Sequence, residues 1–185
     1  MKHILEKIDK LSLEVFASVD LNQINFVSSN NDLRTAIDQM PGVEHYRLLC
    51  LLSTLYSNVD IYCLGTNTGG SSLCLGYNKT NYVISYDVEY NVCVQRHANI
   101  EFRLGDYQKD KALLKSPFIF IDAIPNDLLY RRIYQYLCDN NYRGLTVWNN
   151  IHLNDELKAF WNSAVNEKRD VTQFGHSFGT GIIIF

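Results

Sequence analysis

Residues able to do chemistry recur in this sequence at one kind of position, the carboxyl end of a short apolar run. Val83-Ile84-Ser85-Tyr86 runs into Asp87, Ile100 to Leu104 runs into Gly105-Asp106, and Phe118-Ile119-Phe120-Ile121 runs into Asp122. Leu145 to Trp148 ends on Asn149-Asn150, with His152 close behind. The run that begins at Val59 ends on Gly65 and opens the turn Gly65-Thr66-Asn67-Thr68-Gly69-Gly70, followed by Ser71 and Ser72. A carboxylate can accept hydrogen bonds from sugar hydroxyls or take up a proton, and an imidazole can do the latter near neutral pH. A glycine-rich turn ahead of a helix brings bare backbone N–H groups against a ligand. Together these residue types offer a bound ligand and a base.

For such residues to meet, the apolar runs have to be neighbouring strands of one sheet. The pattern predicts strands over Val59–Leu64, Tyr82–Tyr86, Ile100–Leu104, Phe118–Ile121 and Leu145–Trp148. Between them it predicts helices over Ser71–Tyr77, Glu89–Ala98, Lys109–Leu114, Asn126–Cys138 and Asp155–Val165. Strands that alternate with helices imply right-handed crossovers and a mostly parallel, doubly wound α/β sheet covered on both faces. Ligands of such sheets sit at the carboxyl ends of the strands, where the polar residues fall. The chain closes with two strand-like runs, Asp170–Phe174 and Thr180–Phe185, joined by Gly175-His176-Ser177-Phe178-Gly179, which reads as a hairpin.

Ahead of the first strand, Ile4, Leu5, Ile8, Leu11, Val15 and Phe16 recur at helical spacing, so one amphipathic helix is expected over Met1–Val19, lying on the main domain or in an oligomer contact. Ser28–Asp32 supplies capping residues for a short helix Leu33–Gln39, which Pro41-Gly42 would end. Glu44 then opens a helix whose Leu48, Leu49, Leu51, Leu52 and Leu55 make a broad apolar face. The expected organisation is an N-terminal helical segment, 1–41, packed on one domain, 42–185.

At 185 residues and a net charge of −3 the chain has neither the basic stripe of a nucleic-acid binder nor an apolar run able to span a membrane. Its five cysteines, Cys50, Cys63, Cys74, Cys93 and Cys138, contain no C-x-x-C pair and read as reduced thiols. With no signal-like segment, a cytoplasmic location is expected.

Spacing narrows the ligand. A dinucleotide fingerprint would need glycine where Asn67 stands, and a phosphate-binding loop would need lysine where Ser71 stands. What remains, G-x-x-x-G-G, suits a ligand held by close backbone approach without charge neutralisation. This loop resembles motif I of the class I S-adenosylmethionine-dependent methyltransferases, and with the acids that follow it the resemblance covers about Gly42 to Phe185. It implies a Rossmann-like, seven-stranded, mostly parallel sheet with an antiparallel C-terminal hairpin, and S-adenosylmethionine as cofactor. Gly65, Thr66, Asn67, Gly69 and Ser71 would form the cofactor loop, Asp87 would bind ribose, Gly105-Asp106 would approach adenine, and Asp122 would border the methyl. Glu44, from the segment that often borders the cofactor in this family, would reach it too, although an acid there also complements the helix N-terminus. The family usually carries an acid two places before the first glycine; Cys63 stands there.

The resemblance leaves two versions of the chemistry. In the magnesium-dependent, catechol-type O-methyltransferases an acid after the fourth strand and an Asp-Asn pair after the fifth hold the metal, and the matching positions are Asp122, Asn149 and Asn150, with one acid become asparagine. In the metal-free version His152 takes the hydroxyl proton while Asp122 orients it. The segment W-N-N-I-H is similar to small sugar and natural-product O-methyltransferases, which favours a sugar or glycan hydroxyl as acceptor, with Asn149, Asn150 and His176 as substrate contacts. A non-catalytic S-adenosylmethionine-binding domain is the reading of a different class, suggested by Cys63 and Asn149.

Overall fold

The strands assemble, in the computed structural model, into a single seven-stranded sheet of order β3-β2-β1-β4-β5-β7-β6. The structure describes residues 2–24, 42–94 and 97–185. The expected cap Ser28–Asp32, the helix Leu33–Gln39, Pro41 and the domain boundary after residue 41 lie outside the described residues. The strands are β1 (Asp60–Leu64), β2 (Tyr82–Asp87), β3 (Ile100–Leu104), β4 (Phe118–Ile121), β5 (Leu145–Asn149), β6 (Glu167–Asp170) and β7 (Thr180–Ile184). The first five are mutually parallel, and β7 runs antiparallel to both β5 and β6. The expected doubly wound sheet with an antiparallel C-terminal hairpin is the one observed.

Alternation along the strands divides the core between two faces. Phe118 and Phe120 of β4 pack with Leu49 of α3 (Val43–Ser53) and Leu73 of α4 (Gly70–Leu75). Ile119 and Ile121 pack on the other face with Ile133 of α5 (Asp127–Asp139) and Phe160 of α6 (Asp155–Ser163). Each such side chain contributes roughly 1.5–3 kcal/mol by leaving water. Asn126 caps α5 by accepting from the Leu129 N–H, and Asn154 caps α6 from the Leu157 N–H, so both helices start at fixed points behind their strands. Among the described residues no helix is long and apolar enough to cross a membrane.

Four expected elements differ. The single N-terminal helix is two, α1 (Lys2–Ile8) and α2 (Leu13–Ala17), because Ser12 caps the second by accepting from the Val15 N–H. Both reach the main core through Ile8 and Phe16, and Phe16 stacks on Phe174 at 4.9 Å. No helix forms over the described part of Glu89–Ala98: the Glu89 N–H is committed to Asp87, and the Cys93 N–H to the Thr68 carbonyl at 3.1 Å. The expected helix Lys109–Leu114 is two short 3-10 turns, Tyr107–Lys109 and Lys111–Lys115, because Asp106 and Asp110 each cap a turn of their own. The strand expected over Asp170–Phe174 lies earlier, as β6, and is followed by a 3-10 turn, Thr172–Phe174. The Asp170 carboxylate accepts the Thr172 N–H at 3.0 Å, which turns the chain out of the sheet.

Candidate active site

The sheet order reverses between β1 and β4, and the candidate site lies at their carboxyl ends. Leu64 of β1 is in register with Ile121 of β4, and the ladder extends beyond both strands through the Asp122 N–H to the Leu64 carbonyl at 2.8 Å. Gly65 and Asp122 are thereby neighbours. The fit is close: a Cβ on Gly65 would lie 2.2 Å from the Asp122 carbonyl oxygen, and Gly65 has φ +101°, so glycine is required on two counts. Gly69, at φ +98°, lets Val94 fold under the turn, where a Cβ would meet its side chain at 2.7 Å.

The loop opens into a cleft of about 450 Å³. Gly65, Asn67 and Asp87 line one side, Gly105 and Tyr107 the adenine-side end expected from the sequence, and Asp122 the β4 side. Glu89, Ile124 and Leu129 also line it, and nothing in the motif reading singled these out. Beneath the loop Ser85 is bonded to the hydroxyls of both Thr66 and Ser72, a buried trio that ties β2 to the loop and to α4. Its members are separated in sequence, so no motif scan joins them. Ser71, expected in the cofactor loop, sits half-buried in α4 beside Ser72 and does not line the cleft.

Asp87 does structural work at the centre of the site. Its Oδ2 accepts the N–H groups of Thr66 and Asn67, both at 2.8 Å, and its Oδ1 those of Val88 at 2.7 Å and Glu89 at 3.3 Å. Asp106 is exposed and caps the Gln108 N–H at 2.9 Å; Gly105 lines the cleft and Asp106 does not. Glu44 is exposed at the start of α3 and is likewise not among the cleft-lining residues. Cys63, in the place of the family's acid, is buried in β1, and burial pushes its thiol up to about 12, so it carries no charge toward the cleft.

Burial also pushes the Asp122 carboxyl up, to about 7, against the opposing influence of the Asn149 and Asn150 amides. Asn150, in the left-handed conformation at φ +59°, directs its Nδ2 to Asp122 Oδ1 at 3.2 Å. The Asn149 oxygen accepts from the Thr180 hydroxyl at 3.2 Å, while its buried Nδ2 favours the Asp122 carboxylate without a hydrogen bond of normal geometry. The three residues do not fit a magnesium ion. One amide presents its N–H to the only carboxylate and the other commits its oxygen to Thr180, where a hard cation needs several oxygen donors. Among the described residues no group of three or more His, Cys, Asp or Glu could hold a metal.

His152 is not oriented by Asp122. Its Nε2 lies 2.6 Å from Asp170 Oδ2, at the end of β6. With β6 three strands from β4, about 14 Å at ordinary strand spacing, this histidine serves the far side of the edge. Burial alone would raise the Asp170 carboxyl, yet the Thr172 hydroxyl and N–H and His152 hold it below the usual range. His176 lies in the β6–β7 connection, where its N–H donates to the Thr180 hydroxyl at 2.7 Å. Its ring meets that of His45 edge-on at 5.6 Å. His45, on α3, is fully buried with neither ring nitrogen hydrogen-bonded, and burial, helped by His176, drives its pKa down to about 3. Its position inside an apolar helix face hid it from motif reading.

Comparison with known proteins joins this architecture to others. Rv0187 from MTB, described as cofactor-bound, superposes with a TM-score of 0.60 at 14% identity over 89% of this chain and 94% of its own. The O-methyltransferase TomG from Streptomyces achromogenes, solved in complex with SAM, gives 0.57 at 15% over 94% and 98%. The SAH-bound methyltransferase PaMTH1 of Podospora anserina gives 0.55 at 14% over 97% and 95%. The chain has the class I methyltransferase fold. No family model and no curated protein matches its sequence. On this fold the Gly65 turn occupies the first strand-to-helix junction, and Asp87 and Asp122 the ends of the second and fourth strands.

Proposed function

We propose that this chain is an S-adenosylmethionine-dependent O-methyltransferase that acts on a hydroxyl of a small molecule. The observation that carries the reading is the close approach of Gly65 to Asp122, which joins a glycine cradle of the methyltransferase type to a carboxyl poised near neutrality. When bound, S-adenosylmethionine supplies a methyl on a sulfonium, an activated leaving group.

The chain's own residues do the rest. The loop from Gly65 to Gly69 gives backbone approach, and Asp87 keeps that loop in shape. Asp122 accepts the acceptor's hydroxyl proton as the oxygen attacks, and a pKa of about 7 matches that task. Asn150 holds the carboxyl in register through its amide. A sugar hydroxyl suits an edge whose outer part offers the imidazole of His152, braced by Asp170. An imidazole N–H donates to a hydroxyl and a carboxylate accepts from one.

Calorimetry with S-adenosylmethionine and methyl transfer to a panel of sugar and catechol hydroxyls test the proposal. Wild-type binding together with an Asp122→Asn variant that binds but no longer transfers methyl supports it. A non-catalytic binding domain, to which the uncharged Cys63 lends weight, is the outcome if the cofactor binds and no acceptor is methylated.

A further inference from the structure

The residue at the end of β2 that the fold would assign to the ribose has no room for one. A carboxylate offers about four lone-pair sites, and in Asp87 all are taken by backbone N–H groups: Thr66 and Asn67 on one oxygen, Val88 and Glu89 on the other. Accepting two ribose hydroxyls would strip donors from the same turn that must present itself to the cofactor, and the Thr66 side of that turn is buried. Asp122, a second acid of the cleft, lies on the β4 side at the methyl end. The cleft has one more acid, Glu89, exposed to solvent and, among the described residues, bonded through its side chain only to the nearby Asn91 amide, at a long 3.4 Å.

We infer that Glu89, two residues beyond the end of β2, accepts the 2′- and 3′-hydroxyls of the ribose, and that Asp87 is the latch that holds the glycine turn. The inference rests on the cleft binding S-adenosylmethionine, and it concerns which carboxylate reads the sugar. Glu89 is suited to it: its N–H is the fourth donor to Asp87, so the latch fixes the backbone of an acid that lines the cleft. Two acceptor oxygens facing a vicinal diol also repel a phosphorylated ribose, which restricts the site to unphosphorylated nucleosides.

The test is titration calorimetry of the whole chain with S-adenosylhomocysteine and with its 2′-deoxy and 3′-deoxy analogues, beside thermal unfolding of each variant. Wild type should bind the parent compound and lose affinity with each deleted hydroxyl. Glu89→Gln should weaken the parent about 10- to 100-fold, leave the unfolding midpoint unchanged, and shrink the penalty for deleting a hydroxyl. Asp87→Asn should lower the unfolding midpoint and weaken the parent and the deoxy analogues alike, since it loosens the turn and not the sugar contact. A Glu89→Gln variant that binds like wild type, or that keeps the full hydroxyl penalty while Asp87→Asn loses it, overturns the assignment and returns the ribose to Asp87. Wild type that binds none of these nucleosides instead overturns the cofactor reading beneath it.

Discussion

Replacing His45 with leucine should make the chain more resistant to acid, by an amount that can be worked out. The folded imidazole is fully buried, has no hydrogen-bond partner on either nitrogen, and has its pKa driven from 6.5 to about 3. The unfolded chain binds a proton there below pH 6.5 and the folded chain does not, so the stability that the neutral ring allows is complete above that pH and is lost as pH falls toward 3. The loss is about 1.4 kcal/mol per pH unit, or about 2.7 kcal/mol two units below the unfolded pKa. Leucine has no proton to take up and matches the apolar neighbours Tyr46 and Phe120. Urea unfolding of both proteins near pH 7.5 and near pH 4.5 would measure this. The stability gap, variant minus wild type, should widen in favour of leucine by about 2.7 kcal/mol between the two conditions. A gap that is the same at both pH values would refute the reasoning, because it would mean that the folded ring is protonated or solvated.

Gly65→Ala should cost at least about 3 kcal/mol of stability, since its Cβ would sit 2.2 Å from a backbone oxygen in a conformation at φ +101° that alanine disfavours; thermal unfolding and calorimetry with S-adenosylhomocysteine would both register it. Methyl transfer by wild type should fall as pH drops below about 7, because Asp122 must be ionised to take a proton, and Asp122→Asn should reduce turnover by about 100-fold or more with cofactor affinity retained. His152→Ala should leave cofactor binding unchanged and act on the acceptor's KM more than on kcat, as expected of a ring bonded to Asp170 at the outer side of the edge.

The parallel strands and the site's edge were legible from the sequence because apolar runs ending in Gly65, Asp87, Gly105 and Asp122 carry both the period of a buried strand and the polar residue that ends it. Roles within that edge were less legible, for a physical reason. A carboxylate satisfied by its own loop, as Asp87 is, and one exposed on the cleft, as Glu89 is, look alike in one dimension; the direction of four N–H groups separates them. The pairing of His152 with Asp170 rather than Asp122 depended on where β6 begins, and the cap at Thr172 moved that strand earlier than its apolar pattern suggested. The stretch after β2 failed as a helix because tertiary partners claimed its donors, a competition that helical spacing does not record.

The contact between the Gly65 turn and the backbone of Asp122 also limits how this protein can change. Under the proposed function, a substitution that reshapes the pocket floor for a bulkier nucleoside must push on the strand that carries Asp122, the proposed proton acceptor, and one that shifts Asp122 must push back. On that reading, affinity and turnover are geared together through one peptide-to-peptide junction. Remodelling that leaves this junction alone, working from the β5–β7 side, is the route by which a new acceptor could be admitted without disturbing the donor.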